Sequence, residues 1–356
     1  MSLVLFALGI ALLIGGAELL VRGASRLARG FGISPLVVGL TVVAYGTSSP
    51  ELAVSVRSAL AGQGDIAVGN VVGSNIFNVL FILGLSATVT PLVVPQQIVR
   101  LDVPIMIGAT VLLLGFALDG RLSTAECALL LAGAIAYTAF LVRTSRGESA
   151  EIADEYAAEF SGATAGRAGI LVQLAFVVAG LALLVLGARW LVDAAITMAR
   201  AVGVSELVIG LTIVAAGTSM PEVATSVLAA LKGERDIAVG NAVGSSIFNV
   251  LAVLGLAGTV GGGIDVAPAV LSFDLPVALA VAVACLPITF SGHRIARWEG
   301  VLFLAYYAAY TTYVILAAAA HDALPAFSAV MAWFVLPLTV VTVLVVAWRE
   351  GGARSA

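Results

Sequence analysis

The chain has 356 residues, of which 61% are hydrophobic and 11% charged. Soluble domains carry about 25% charged residues, so this composition excludes a water-solvated globule and points to an integral membrane protein whose partner is the lipid bilayer. A net charge of −4 without a clustered basic patch excludes nucleic acid as a partner.

No basic residue precedes the first apolar run, and Arg22, Arg26 and Arg29 follow it. That order reads as a first transmembrane helix with its N-terminus outside, not as a cleaved leader. A helix needs about 20 apolar residues to cross the hydrocarbon core. Spans are predicted at 2–21, 33–60, 66–88, 97–118 and 123–142. After a polar stretch they continue at 168–189, 205–231, 236–260, 268–290 and 296–317, with an eleventh at 326–348. This order places 13 of the 17 basic residues inside and 4 outside, which favours N-terminus out and C-terminus in. The expected location is a plasma or inner membrane, crossed many times. Residues 143–167 contain Glu148, Glu151, Asp154, Glu155 and Glu159 with no apolar period and read as an acidic cytoplasmic linker. Cys127 and Cys285 lie in apolar runs and read as small buried hydrophobes. Asp65 and Asp236 read as N-caps, and Glu18, Asp102, Asp193 and Asp274 as solvated acids near span ends.

The chain also repeats itself. Residues 39–85 and 210–256 align at a constant offset of 171 without gaps, with 33 of 47 positions identical. Weaker echoes extend the unit to about five helices. Five crossings are odd in number, so the second copy starts on the opposite side of the membrane and the halves are inverted. The expected fold is an all-α integral membrane protein with two inverted five-helix repeats, a ten-helix core, plus an eleventh C-terminal transmembrane helix. The first repeat covers 1–142 and the second 168–317, joined by the linker 143–167. Residues 318–356 supply the extra helix and a cytoplasmic tail.

Each repeat carries Gly-Thr-Ser-x-Pro-Glu within its second span, at Gly46–Glu51 and Gly217–Glu222. Proline removes a backbone donor and clashes with the carbonyl four residues back, so both spans are expected to break. The break should free carbonyls around Ala44 and Ala215 that need a partner inside the membrane. Glu51 and Glu222 follow at once, and a carboxylate near the bilayer centre costs about 2.5–3.5 kcal/mol on insertion scales. Thr47 and Ser48 share a face with Glu51, as Thr218 and Ser219 do with Glu222. On the third helix of each repeat Ser74 faces with Asn78, and Ser245 with Asn249. Asn70, Asn75 and Asn241 stay open between helix packing and a site role. The donor set is oxygen throughout, with no His or Cys, and suits hard cations such as Ca²⁺, with Na⁺ accepting similar ligands.

The paired motifs GTSxPE and GNxxGSxIFN resemble the repeats of the Ca²⁺/cation antiporter superfamily, specifically its Na⁺/Ca²⁺ exchanger branch. The resemblance covers the ten-helix core. It implies a cation site among helices 2, 3, 7 and 8, with both glutamates binding Na⁺ and Ca²⁺. Carried over by position, the ligands are Ala44, Thr47, Ser48, Glu51, Ser74 and Asn78, with Ala215, Thr218, Ser219, Glu222, Ser245 and Asn249 as counterparts. The chain departs from some members in holding asparagine at both 78 and 249, and in its eleventh helix. The implied function is Na⁺/Ca²⁺ antiport by alternating access at one midplane site, with Ca²⁺ and Na⁺ as transported ions, no organic cofactor and no obligatory protein partner. The alternatives are H⁺/Ca²⁺ exchange on the same glutamates, a Ca²⁺ channel and a membrane enzyme. The last lacks any nucleophile–base set in the sequence.

Overall fold

The computed structural model describes residues 2–31, 33–159, 167–290, 293–337 and 340. Among them the fold is helical, apart from four two-residue strands. The first half holds α1 (Ser2–Phe31), α2 (Pro35–Thr47), α3 (Ser49–Leu60), α4 (Gly64–Val89), α5 (Ile98–Ala117) and α6 (Thr124–Glu159). The second holds α7 (Arg167–Ala201), α8 (206–217), α9 (Met220–Leu231), α10 (Arg235–Gly261), α11 (270–290) and α12 (Arg297–Ala318), followed by α13 (324–335).

Among the described residues seven helices are long and apolar enough to cross a membrane, or eight when α2 and α3, bent by 47°, count as one span. The spans predicted at 205–231 and 268–290 are present as shorter pieces: α8 with α9, and α11. Residues 338, 339 and 341–348 of the span predicted at 326–348 lie outside the described residues. Helix α6 does not stop at 142 but runs on to Glu159. At 36 residues it is about 54 Å long, more than a hydrocarbon core of about 30 Å can cover. Residues 160–166 of the expected linker are outside the described set.

Helices α1 and α7 also outrun their predicted ends, at Phe31 and Ala201 instead of 21 and 189. They pack side by side through glycines spaced seven apart. A Cβ on Gly16 would lie 2.8 Å from the Gly180 carbonyl, and one on Gly180 would lie 2.6 Å from the Leu20 amide. Gly9 and Gly187 repeat the contact one heptad away. Backbones this close gain dispersion contacts that lipid cannot supply. At the end of α9, Lys232 forms an ion pair with Glu18 of α1, which also pairs with Arg22.

Helix α2 begins at Ser34, whose hydroxyl accepts the Val37 amide at 3.3 Å, with Pro35 first in the helix. Helices α3 and α9 each end in a tight turn where Gly62 and Gly233 take φ of 70° and 80°, open to glycine without a Cβ clash. Asp65 and Asp236 are not the N-caps. Gln63 and Glu234 hold those positions, and neither makes a side-chain capping bond.

The inverted symmetry is visible in the strands. β1 (Leu92–Val93) pairs antiparallel with β4 (Arg294–Ile295), and β2 (Arg121–Leu122) with β3 (Ile264–Asp265). Exchanging the halves carries β1 onto β3 and β4 onto β2, so each ladder maps onto the other. Two tyrosine–aspartate bonds repeat the pattern: Tyr137 donates to Asp102 at 2.9 Å, and Tyr310 to Asp274 at 2.8 Å. Asp102 is fully buried, so it is not the solvated interfacial acid expected. Cys127 and Cys285 are buried and not joined in a disulfide.

Candidate cation site

Both broken spans break alike. Ser48 ends α2 with φ −81° and ψ 9°, and Ser219 ends the first part of its span with φ −89° and ψ 9°. Pro50 and Pro221 sit second in α3 and α9, where a missing amide leaves no intrahelical bond unmade. Glu51 and Glu222 come third, in a first turn whose amides point toward negative charge. The carbonyl that loses its donor is that of Gly46, and the Ser49 hydroxyl covers it at 2.7 Å. The Ala44 carbonyl keeps its helical partner, the Ser48 amide at 3.0 Å, and also accepts Thr47 Oγ1 at 3.3 Å and Ser245 Oγ at 3.4 Å. At Ala44 the break therefore gathers hydroxyls around a carbonyl instead of stripping it bare.

Matched π turns flank the breaks at Gly39–Val43 and Gly210–Val214, and begin at both asparagines, over Asn78–Leu83 and Asn249–Leu254. Such turns cluster at functional sites, where they re-aim side chains that α-helical spacing would place elsewhere.

The halves interlock across the pseudo-two-fold axis. Ser48 Oγ of the first donates to Glu222 Oε1 at 2.9 Å, and Ser219 Oγ of the second to Glu51 Oε1 at 2.7 Å. Ser219 also reaches Ser74 Oγ at 3.2 Å. Asn78 Nδ2 donates to Ser246 Oγ at 3.4 Å and Asn249 Nδ2 to Asn75 Oδ1 at 3.1 Å. What remains is a set of buried oxygens without a hydrogen-bond donor: Oε2 of Glu51 and of Glu222, and Oδ1 of Asn78 and of Asn249.

Unpaired buried oxygens are costly and rare. Four of them in symmetric pairs, each on a side chain whose other polar atom is held, have the chemistry of a cation cradle. Among the described residues no three His, Cys, Asp or Glu side chains cluster, so the cradle is built from hydroxyl, amide and carboxyl oxygen.

Of the twelve residues singled out in the sequence, nine lie on α2, α3, α4, α8, α9 and α10, and Ser48, Thr218 and Ser219 lie in the two breaks themselves. Ten are buried, including both glutamates and both asparagines. The exceptions are in the second repeat: Thr218 is half-buried and Ala215 exposed, whereas Thr47 and Ala44 are 0% exposed. The difference follows from packing. A Cβ on Gly244 of α10 would meet Leu40 Cα at 2.8 Å and Ala44 Cβ at 3.0 Å, and one on Gly39 would meet Ile237 Cα at 3.1 Å. Their counterparts Gly73 and Gly210 have nothing within 4 Å. The seam between α2 and α10 is shut, and the matching seam between α8 and α4 is parted.

Sequence reasoning left Asn70, Asn75 and Asn241 open and did not single out Ser55, Ser226 or Ser246. Asn70 Nδ2 donates to Ser55 Oγ at 3.0 Å and to the Glu51 carbonyl at 3.2 Å. Asn241 repeats this with Ser226 Oγ at 2.9 Å and the Glu222 carbonyl at 3.4 Å. The signal for these was the same offset of 171, since Asn70, Ser55 and their counterparts are identical between the repeats.

The sodium/calcium exchanger protein family model matches residues 1–143 and 172–316. Inner membrane protein YrbG of Escherichia coli (strain K12) is 39% identical over 285 residues, covering 80% of this chain and 87% of the relative. Sodium/calcium exchanger MaX1 of Methanosarcina acetivorans is 33% identical over 344 residues, covering 87% and 97%. A solved structure of the sodium-calcium exchanger NCX_Mj superposes with a TM-score of 0.73 at 28% identity, covering 86% of this chain and 96% of that one. The match spans both repeats and stops before α13. With its broken paired helices and buried oxygens, this multi-pass chain is a cation/Ca²⁺ antiporter and belongs to the sodium/calcium exchanger protein family.

Proposed function

We propose that the protein exchanges Na⁺ for Ca²⁺ across a plasma or inner membrane, by alternating access to one site formed by both repeats. The observation that carries this reading is the set of four unpartnered oxygens on Glu51, Glu222, Asn78 and Asn249. The remaining ligands are the hydroxyls of Thr47, Ser48, Ser74, Thr218, Ser219 and Ser245 and the carbonyls of Ala44 and Ala215. One Ca²⁺ neutralises two ionised glutamates, and so do two Na⁺. An empty site would carry two uncompensated charges through the hydrocarbon, a large penalty, so only loaded states change access. The hydroxyls favour Na⁺ over H⁺ as the coupling ion, because a protonated carboxyl needs no oxygen cage.

The unequal seams supply the access states. With the N-terminus outside, α8 and α4 both begin at the outer face, so the parted seam opens outward while the α2–α10 seam seals the inside. Exchanging the roles of the two repeats gives the inward-open state.

Proteoliposomes loaded with Na⁺ or choline, with pH clamped on both sides, test the reading. Radiolabelled Ca²⁺ uptake is expected only with Na⁺ inside. Uptake driven equally by a pH gradient in choline would transfer the assignment to H⁺/Ca²⁺ exchange. The site does not need α13, in which no residue from Leu324 to Val330 is buried. A chain ending at residue 318 is expected to unfold at the same temperature as the full chain and to keep its uptake. A stable but inert product would give α13 a part in gating.

A further inference from the structure

Asn70 and Asn241 occupy equivalent places but make unequal bonds. On the donor side they match: each ties the carbonyl of its repeat's glutamate to a serine one turn further along the same half-helix. On the acceptor side they differ. Asn241 Oδ1 receives the hydroxyl of Thr47, from the other repeat, at 3.0 Å. The equivalent bond would run from Thr218 to Asn70, and Thr218 Oγ1 is instead buried without a hydrogen-bond partner. The bonded pair belongs to the shut seam and the unbonded pair to the parted one.

We propose that Asn70 and Asn241 are positioning residues that act as alternating latches. Each holds its glutamate's half-helix at all times and accepts a threonine of the opposite repeat only when the seam on that side is shut. When α2 swings away from α10, Thr47 leaves Asn241. When α8 closes on α4, Thr218 reaches Asn70. The seam glycines make this geometrically direct. Gly240 and Gly244 lie one and three residues from Asn241 and touch the backbone of α2 around Leu36 and Leu40, while Gly69 and Gly73 beside Asn70 face open space. The latch keeps a threonine hydroxyl satisfied on the sealed side and leaves the other unlatched at the ion site, where arriving or departing ions need an oxygen. The inference rests on alternating access between the two seams and is independent of which cation drives exchange.

Thiol labelling tests it. Ala215 is exposed and Ala44 fully buried, so cysteines at these positions report which seam is parted. Cys127 and Cys285 are buried, and the parent protein gives the baseline. In nanodiscs at fixed ionic composition, Asn241→Ala weakens the shut α2–α10 seam. It is expected to lower labelling of Ala215→Cys and raise that of Ala44→Cys, each by about two- to tenfold, the worth of one net hydrogen bond. Asn70→Ala removes the same donor-side bonds, so it serves as the matched control, and it should shift both reporters in the opposite direction. A merely structural role predicts shifts of the same sign in both variants, and that outcome, or no shift in either, overturns the proposal. If an alanine variant does not fold, Thr47→Val and Thr218→Val remove the latch bond while leaving each asparagine's ties to its glutamate's half-helix in place, and at the same fixed ionic composition they must reproduce the opposed shifts. Labelling needs no transport assay, so failure of the latch and failure of Na⁺/Ca²⁺ exchange are separately visible.

Discussion

Glu51→Gln and Glu222→Gln should each abolish Na⁺-driven Ca²⁺ uptake while leaving the protein folded in the membrane. Glutamine matches glutamate in shape, and its Oε1 still accepts the serine hydroxyl that Ser219 gives Glu51 or Ser48 gives Glu222. The charge is lost, and an amide NH2 that cannot ligate a cation takes the place of the unpartnered Oε2. A Ca²⁺-loaded site would then hold one uncompensated positive charge, and an unpaired buried charge costs about 3–5 kcal/mol. That corresponds to more than about a hundredfold in occupancy at fixed Ca²⁺. Ser48→Ala or Ser219→Ala removes one hydroxyl from one carboxyl and should cost no more than about tenfold. The measurement is initial-rate uptake of radiolabelled Ca²⁺ in proteoliposomes, with size-exclusion profiles as the control for folding. Wild-type uptake by either glutamine variant would remove the glutamates from the transport site.

Gly180→Val is expected to be the most damaging substitution outside the site. A Cβ there would stand 2.6 Å from the Leu20 amide and 2.7 Å from the Gly16 carbonyl. Both are backbone atoms, so the clash is relieved only by driving α1 and α7 apart. Overpacking of a tight contact costs about 3 kcal/mol at the upper end of its usual range, and here the strain spreads along two helices of 30 and 35 residues. The expected result is a large drop in the thermal unfolding temperature in detergent, or failure to recover monodisperse protein. Gly15→Val, on the partner helix α1 but with nothing within 4 Å, should behave like wild type. Equal stability of the two variants would show that the α1–α7 contact is dispensable.

The fold class was legible because hydrocarbon imposes a length on every apolar run and the repeat imposes an inversion on the whole. The glutamates were legible for a related reason: a carboxylate beside a helix-breaking proline, twice, has few structural explanations. The lengths of α1, α6 and α7 were not legible. Hydropathy registers what lipid will accept, and these helices run on where protein contacts or water replace it. The π turns at Asn78 and Asn249 have no compositional signature either, since they depend on which carbonyl an amide meets after packing. Most of the coordination around Glu51 was likewise hidden, because Ser219 lies 168 residues away and only the assembled halves bring the two together. The state of the seams is invisible in the repeat, where both glycine sets read alike.

The crossed bonds between the halves also bear on how the protein is made. A chain emerging from the ribosome delivers its N-terminal half first. At that moment Glu51 lies in the membrane without Ser219, Asn78 without Ser246, and β1 without β4. Glu51 and Asn78 are orphaned until residues 219 and 246 have been synthesised, and β1 until residue 294. The early half must therefore wait in the bilayer with its carboxyl protonated, hydrated or shielded by the insertion machinery. The two halves then close as a single event, much as the chains of an obligate dimer do. The same interlocking means that halves expressed from separate genes would find each other by these bonds, and neither would hold its fold alone.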